Sequence, residues 1–221
     1  TGFRTRQEVL IFTDIALSTL QFLGTEEVFA IQEISDSINI IAPKVVAEAN
    51  NVVYWMGVDK FFAYDGRVNT LPCTVKQYVF EDMNKESGFL NFAGINSEFN
   101  EVIWFYCSGG SNSIDRYVIY NYEEKIWYFG NLTRTAWANA GTIKFPLATF
   151  NGYVYRHEDG KDNVTIPGAT PTAISSFIES GDMGIDDGDE FILTKRVIPD
   201  VNFTNSDTAT AQGAALTPEV Q

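Results

Sequence analysis

Short runs of apolar residues, each closed by a polar turn, recur along most of the chain. Residues 8–14 form one such run, and residues 17–23 form a second that ends at Gly24. β-Branched and aromatic residues dominate these runs, and such residues favour pleated strands over helices. The pattern therefore predicts a β-hairpin near the start of the sequence.

The same arrangement returns in three later units. The runs that predict their strands are residues 51–56, 60–65, 101–107, 116–121, 126–129, 147–150 and 153–156. Asn151-Gly152 lies between the last two runs, and this dipeptide is the strongest short-range signal of a hairpin turn. A fifth unit is predicted to pair residues 174–179 with residues 191–197.

These units are regularly spaced. Val9, Val52, Val102 and Leu147 mark the first predicted strand of successive units, and they lie 43, 50 and 45 residues apart. A period of about 40 to 50 residues with several strands per period is typical of propeller blades, which stack because one small sheet cannot bury both faces. The sequence predicts an all-β fold, a β-propeller or part of one, with blades of three to four antiparallel strands. A β-sandwich is the alternative.

Residues 1–203 are predicted to form the propeller portion of a larger protein, because there is no initiating Met and about four and a half blades fit where propellers close on four to eight. Residues 204–221 are rich in Ala, Thr and Gln, which predicts a flexible linker or extended arm. One short helical turn is predicted within residues 25–36, from the apolar positions Val28, Ile31 and Ile34.

The charge balance narrows the classes of partner. The chain has 29 acidic and 15 basic residues, a net charge of −14. Binding to nucleic acid or to anionic lipid requires clustered Lys and Arg, so neither is expected. No apolar run is long enough for a membrane helix. Cys73 and Cys107 are predicted to be small buried thiols and not a disulfide framework.

No catalytic arrangement or cofactor motif is predicted, so the chain is not expected to be an enzyme. The single histidine, His157, precedes a Glu-Asp-Gly turn and is predicted to be a surface residue. A glycine-interrupted acidic cluster is a weak calcium candidate, formed by Asp182, Asp186, Asp187 and Asp189. An ordinary turn is favoured there, because adjacent side chains diverge.

A carbohydrate-binding or glycan-cleaving propeller is the alternative function. Tryptophan rings stack on sugars, and this chain has Trp55, Trp104, Trp127 and Trp137. We expect most of these rings to lie in the core of the blades. Carboxylates for glycoside chemistry are not apparent, because the candidate acids fall at turns where solvated carboxylates are common: Asp59, Asp65, Asp115, Glu123 and Glu124.

Several segments resemble virion proteins of tailed bacteriophages. They are residues 51–66, 102–106, 115–120, 134–137, 179–182 and 195–200. The likeness spans residues 8–203 and is closest to the propeller-containing tail hub or nozzle proteins of short-tailed phages, which include the packaged-DNA stabilisation proteins. The likeness rests on the overall residue pattern of these segments. It includes no motif from which functional residues could be assigned.

This resemblance implies a structural role in the virion. Members of that group form homo-oligomeric rings, often hexamers, around the channel through which DNA leaves. The implied partners are other copies of the chain, other tail or portal-adaptor proteins, and DNA that passes without sequence-specific binding. Lys195 and Arg196 are candidate interface residues. A net-negative channel wall would let DNA slide, because it makes few phosphate contacts.

Overall fold

The computed structural model describes residues 1–6, 8–24, 28–160, 162–164, 168–174, 177 and 196. The chain divides into two units, Thr1–Ile174 and Ser175–Gln221. The predicted boundary between residues 203 and 204 lies outside the described residues. The predicted fifth strand pair also lies outside them, except for residues 174, 177 and 196.

The first unit is built from small antiparallel sheets in which neighbouring strands follow one another in the chain. Sheet 1 contains β1 (Gly2–Arg4), β2 (Glu8–Phe12), β3 (Leu17–Phe22) and β4 (Phe29–Ser35). Sheet 2 contains β5 (Val46–Ala49), β6 (Val52–Met56), β7 (Phe61–Tyr64) and β8 (Val68–Leu71). Sheet 3 contains β9 (Phe92–Asn96), β10 (Glu101–Tyr106), β11 (Arg116–Asn121) and β12 (Ile126–Asn131). Sheet 4 contains β13 (Ala136–Ala138), β14 (Leu147–Phe150) and β15 (Tyr153–Arg156), and sheet 5 pairs β16 (Asp162–Asn163) with β17 (Thr172–Ala173).

Among the residues that the structure describes, helix occurs only in the connection between sheets 2 and 3. It consists of α1 (Lys76–Asp82) and a 3₁₀ turn (Gly88–Leu90), neither of which the sequence pattern predicts. Val79 and Phe80 on α1 are buried, and Phe80 packs on Phe61 with ring centroids 5.2 Å apart. Within the described ranges, no helix has the length and apolar character needed to cross a bilayer.

The all-β prediction is confirmed, and so are the hairpins predicted for the first four units. The second strands of sheets 1 to 4 begin at Glu8, Val52, Glu101 and Leu147, so the sequence period is the spacing of equivalent strands. Asn151 and Gly152 have φ values of 49° and 79°, as the tight turn between β14 and β15 requires. The pattern does not predict β1, β4, β5, β8, β9, β13, β16 and β17, most of which are short.

The predicted helical turn within residues 25–36 is wrong. The structure has β4 there, in antiparallel register with β3, so that Phe29 faces Phe22 and Ile31 faces Leu20. The register shifts between Leu17 and Ser18, and such a bulge re-aims the side chains that follow. Ile34 lies three residues after Ile31, so the alternation of a strand places it on the opposite face, where it packs against the core. Residues 25–27 lie outside the described part of the chain.

Sheets 1 and 2 pack face to face through large side chains. Leu10 and Phe12 of β2 meet Trp55 and Phe62 of sheet 2 in one buried cluster. The Trp55 ring stacks on Phe62 with centroids 5.0 Å apart, and Phe12 contacts its edge at 5.2 Å. Offset and edge-to-face aromatic contacts of this kind add to the free energy of area burial.

The other face of sheet 2 packs against sheet 3. Met56 and Phe61 share a buried cluster with Trp104 and Tyr106 of β10, and the Phe61 and Trp104 rings lie 4.8 Å apart. Because successive side chains of a strand point to opposite faces, residues 53 and 55 serve one contact and residues 54 and 56 serve the other. This explains why β6 is an almost uninterrupted apolar run.

Sheets 3 and 4 meet through Phe105 and Trp137, whose ring centroids lie 5.8 Å apart. The Trp137 Nε1–H donates to the carbonyl of Ile95 at 2.8 Å. The first strands of sheets 2, 3 and 4 lie side by side, and Ala93 N–H donates to the Lys44 carbonyl at 2.8 Å. The sheets therefore converge along the edge that their first strands form.

Gly94 tests how closely sheets 3 and 4 are packed. A Cβ at this position would lie 2.5 Å from Cδ1 of Trp137, inside the contact limit. We expect Gly94→Ala to force the sheets apart and to lower the free energy of unfolding by about 1 to 3 kcal/mol, measured by urea titration. Gly110→Ala is the control, because nothing lies within 4 Å of its Cβ position. Equal urea midpoints for the two variants would contradict the close approach.

Candidate assembly surface

One face of sheet 1 has no neighbour in the described structure, although its side chains are apolar. We call it the open face of sheet 1, and it consists of Val9, Ile11, Leu20, Phe22, Phe29 and Ile31. Ile31 is 70% exposed, Phe22 68% and Phe29 61%. Soluble monomers rarely leave several large apolar side chains exposed side by side, so this face is the strongest candidate for a docking surface.

The register of sheet 1 makes these residues contiguous. Val9, Leu20 and Ile31 lie opposite one another across three strands, and Phe22 lies opposite Phe29. The two phenylalanine rings meet edge to face, with centroids 5.7 Å apart. Cross-strand neighbours of this kind form one continuous patch.

Both faces of β3 and β4 carry apolar side chains: Leu17 and Ile34 pack on the covered side, whereas Leu20 and Ile31 lie on the uncovered side. Gln32 and Thr19 share the covered side with Leu10, whereas Leu20 and Ile31 face outwards. The sequence shows where the apolar residues lie along β3 and β4. It does not show which face of the sheet is left uncovered, because that depends on which neighbouring sheet packs against it.

Most of the residues that the sequence singled out for binding lie outside the described part of the chain. The calcium candidates Asp182, Asp186, Asp187 and Asp189 and the interface candidate Lys195 are among them. Arg196, the other interface candidate, is exposed. Within the described ranges, no group of three or more His, Cys, Asp or Glu side chains is arranged to hold a metal ion.

The tryptophans are committed to contacts inside the protein. Trp55 and Trp104 are fully buried, as expected for core residues, and Trp127 and Trp137 are half-buried. Each indole N–H donates to a backbone carbonyl at 2.8 to 3.1 Å. None of the four therefore presents a free ring face with an unused N–H to a sugar.

Several carboxylates that the sequence places at turns form hydrogen bonds with neighbouring turn and loop residues. Asp115 accepts hydrogen bonds from the backbone N–H and Oγ of Ser108, at 2.8 and 2.7 Å, and so closes the loop between β10 and β11. Asp65 accepts from the backbone N–H of Arg67 at 3.3 Å, and Glu123 accepts from Asn100 Nδ2 at 2.6 Å. These bonds fix turns in the way that Asp side chains commonly do.

Two open clefts of the described structure are lined mainly by polar and charged side chains. The larger, about 640 Å³, lies between sheets 1 and 2 and is lined by Arg4, Thr5, Arg6, Glu48, Asn50 and Asn51. The smaller, about 430 Å³, lies at the turns of sheet 3 and is lined by Glu98, Phe99, Asn100, Glu101, Asn121, Glu123, Glu124 and Tyr128. Four of the eight residues in the smaller cleft are glutamates, so it repels anions.

Glu101 and Glu158 form a pair that the sequence did not suggest. Asn96 Nδ2 bridges them, donating to Glu101 Oε2 at 3.2 Å and to Glu158 Oε1 at 3.4 Å, and the Tyr128 hydroxyl donates to Glu101 Oε1. Burial raises the pKa of both carboxyls, and repulsion from Glu158 raises the pKa of Glu101 further. The two residues are far apart in the chain, so only the contact between sheets brings them together.

The free thiols are inert for a physical reason. Cys107 is buried, as predicted, whereas Cys73 is only half-buried. Burial raises the pKa of the Cys73 thiol to about 11, and burial with the nearby Asp115 raises the pKa of the Cys107 thiol. Both side chains therefore stay protonated near neutral pH, and the thiol is a poor nucleophile and metal ligand.

His157 is not the surface residue that the sequence predicted. Its ring packs on Trp137 with centroids 4.9 Å apart, and its Nε2 accepts a hydrogen bond from Nε of Arg134 at 2.9 Å. Arg134 is buried, donates from Nη1 to the Thr133 carbonyl at 2.6 Å, and lies over the ring of Tyr155. Neither of the two ion pairs in the described ranges includes Arg134.

This arrangement holds His157 neutral. Nε2 accepts a hydrogen bond from the Arg134 guanidinium, so the proton of the neutral ring lies on Nδ1. Burial, and then the positive charge of Arg134, lowers the pKa of His157 from 6.5 to about 4. Protonation would place a second positive charge beside a buried guanidinium, so the contact between β15 and the segment before β13 depends on pH.

We expect the stability of the protein to fall between pH 6.5 and pH 4 because of His157. In this range the unfolded state binds a proton that the folded state excludes, so the stabilisation is complete above pH 6.5 and is lost as pH falls towards 4. His157→Gln keeps an acceptor for Arg134 and cannot titrate. Between pH 7 and pH 4 the parent should lose roughly 2 kcal/mol more than the variant in urea titrations.

His157 is the only histidine in the chain, and the carboxylates are common to both proteins. The difference between the two pH profiles therefore isolates this side chain. Parallel profiles for parent and variant over this range would rule out the buried, neutral imidazole.

Comparison with known proteins adds no family assignment. No protein-family model matches the chain, and no curated protein matches it.

Proposed function

We propose that the chain is the β-propeller portion of a tailed-phage tail protein, a structural component of a hub- or nozzle-type ring around the DNA exit channel. In this proposal it works in the virion by protein–protein assembly. Its partners are other copies of itself and neighbouring tail or portal-adaptor proteins. DNA passes through the ring without sequence-specific contacts.

The arrangement of the sheets supports the proposal that they are blades of a propeller. Each of sheets 1 to 4 is an up-and-down meander of three or four strands, and consecutive sheets pack face to face. The first strands of sheets 2, 3 and 4 lie together along one edge. Blades of a propeller pack in this manner, with their first strands around the central channel.

The open face of sheet 1 is the observation that carries the assembly role. A blade inside a propeller is covered on both sides, as sheets 2 and 3 are, whereas sheet 1 leaves Phe22, Phe29 and Ile31 exposed. Exposure of such an apolar face to water costs free energy, and association with a partner removes that cost. This is what an assembly protein requires.

The charge supports passage of DNA and disfavours its retention. The net charge is −14, and the cleft at the turns of sheet 3 is lined by four glutamates and no basic residue. Affinity for nucleic acid grows with the number of phosphates that Lys and Arg neutralise. A ring with such walls makes few lasting contacts with a passing polyanion.

The tryptophans provide a test against the carbohydrate-binding alternative. Because Trp55 and Trp104 are buried and all four indole N–H groups are used, we expect a blue-shifted emission and weak quenching by acrylamide. Titration with cellulose-, chitin- or starch-derived oligosaccharides should leave both unchanged. A saturable shift in emission with any of these sugars would favour the carbohydrate-binding function.

The tail role itself is tested on virions. We expect antibodies against the purified chain to label tailed particles at the tail, and negative-stain images of the purified protein to contain rings with a central hole. Antibody adsorbed with the purified chain is the control for specific labelling. Particles that carry no label while the antigen is present in infected cells would overturn the proposal.

A further inference from the structure

The carboxyls of Glu101 and Glu158 both accept hydrogen bonds from one buried amide. Glu101 begins β10 of sheet 3 and is 9% exposed, whereas Glu158 belongs to the turn that follows β15 of sheet 4. Nδ2 of Asn96 on β9 donates to Glu101 Oε2 at 3.2 Å and to Glu158 Oε1 at 3.4 Å. Two acidic groups from different sheets therefore depend on the donors of a single side chain.

The oxygen of the same amide is unused. Asn96 is 1% exposed, and its Oδ1 accepts no hydrogen bond from the described residues. A buried carbonyl oxygen without a donor costs free energy, because it has lost its hydrogen bonds to water and gained none in return. The site therefore lacks one hydrogen-bond donor.

Negative charge is in excess at this site. Neither of the two ion pairs among the described residues includes Glu101 or Glu158. Burial raises the pKa of both carboxyls, and repulsion from Glu98 raises the pKa of Glu158 further. A proton on one of the two carboxyls would reduce the repulsion, and its O–H would be the donor that the amide oxygen lacks.

The existing hydrogen bonds indicate which carboxyl takes the proton. Both oxygens of Glu101 accept hydrogen bonds, Oε1 from the Tyr128 hydroxyl and Oε2 from Asn96, and such bonds favour the charged form of a carboxyl. Among the described residues, only one oxygen of Glu158 accepts a hydrogen bond. Glu158 is therefore the member of the pair that becomes a neutral donor at the smaller cost in hydrogen bonds.

We propose that Glu158 and Asn96 form a proton-dependent latch between sheets 4 and 3. When Glu158 takes a proton from solvent, its O–H donates to Asn96 Oδ1 and its carbonyl oxygen accepts from Nδ2, so the latch is closed by two hydrogen bonds. Glu101 stays ionised and keeps its bonds from Tyr128 and Asn96. When the proton leaves, Oδ1 loses its donor and the two carboxylates repel each other, so the latch opens.

The other titratable groups around the latch leave this effect intact. They are acidic or phenolic side chains, namely Tyr117 on β11, Tyr128 on β12 and Glu98 in the turn before β10. Burial and the nearby carboxylates raise the pKa of both phenols, so these stay neutral, whereas Glu98 adds negative charge. His157 is the neighbour of Glu158 in the chain, and its Nε2 is hydrogen-bonded to Arg134.

The latch belongs to the polar part of the contact between sheets 3 and 4. The apolar part is formed by Trp137, which packs closely on Gly94. In the polar part, the Ser97 N–H donates to Asn139 Oδ1 at 3.1 Å, and Asn139 Nδ2 donates to Ser97 Oγ at 2.9 Å. These two bonds involve no titratable group, so they hold the sheets together at any pH. Glu158 adds a part that depends on pH.

The latch changes stability in the opposite sense to His157. A carboxyl whose pKa in the folded protein is above its ordinary value of 4.5 stabilises the fold fully below pH 4.5, and this stabilisation is lost as pH rises through the folded pKa. His157, whose pKa is lowered from 6.5 to about 4, stabilises the fold above pH 6.5 and loses this contribution towards pH 4. In mildly acidic solution each residue therefore offsets part of the change that the other causes.

Urea titrations of the full chain with Glu158→Gln test the latch. Glutamine copies the protonated carboxyl, because its NH₂ can donate to Asn96 Oδ1 while its carbonyl oxygen accepts from Nδ2. We expect an upward shift of the urea midpoint at pH 8, where the latch of the parent is open. At pH 4.5, where the latch of the parent is closed, the shift should be much smaller.

Glu124→Gln is the matched control for the loss of one negative charge from a chain of net charge −14. It removes a carboxylate from the cleft at the turns of sheet 3, and this carboxylate is not one of the two that accept from Asn96. At pH 8 it should shift the urea midpoint less than Glu158→Gln does. Equal shifts for the two variants would mean that the effect is only the loss of charge.

Carbon-13 NMR of the side-chain carboxyls follows the proton directly. The Glu158 carboxyl should titrate above pH 4.5, and Glu98→Gln should lower its pKa because it removes a repelling charge. A Glu158→Gln midpoint equal to or below that of the parent at pH 8 would overturn the latch. A rise that Glu101→Gln produces in place of Glu158→Gln would overturn it too. The labelling of virions does not depend on this contact, so these results do not decide the tail role.

Discussion

The stack of sheets depends on Trp104. Its indole is fully buried between sheets 2 and 3, where it packs on Phe61 at 4.8 Å, and its N–H donates to the Val45 carbonyl at 3.0 Å. One side chain thus buries a large apolar area and satisfies a backbone carbonyl that would otherwise be buried without a partner. The bond also fixes where β5 starts against sheet 3. A phenylalanine in place of Trp104 could bury a large apolar area, but it has no N–H with which to fix the position of β5.

The other three tryptophans make the same kind of bond, in which an indole N–H attaches a sheet to an earlier part of the backbone. Trp55, Trp127 and Trp137 each donate to a carbonyl that precedes their own sheet, at Asn39, Pro72 and Ile95 respectively. Each sheet is thus attached to the backbone before it, and the stack has a polarity. Sheet 1 has Ile11 where sheets 2 and 3 have a buried tryptophan.

Local patterning determined which parts of the structure could be predicted. The strands β6 and β7 are apolar and aromatic throughout, β2, β10 and β11 are so except at their ends, and Asn-Gly marks the turn after β14. The sequence was therefore sufficient for these hairpins. The first strands of the sheets are short and mixed in polarity, because they are held by neighbouring first strands rather than by their own pattern. The strand β4 does not show the alternation of a strand, because Val28, Ile31 and Ile34 recur every three positions, and this spacing resembles that of a helical turn.

The candidate sites were harder to predict, because they depend on contacts between sheets. Glu101, Glu158 and Asn96 meet only where sheets 3 and 4 pack, and His157 is half-buried because it packs against Arg134 and Trp137. The open face of sheet 1 and the net charge of −14 act against each other. Repulsion keeps copies apart at low ionic strength, whereas salt screens the charge and leaves the apolar contact intact. Assembly through this face should therefore strengthen as salt is added, unlike assembly that depends on ion pairs.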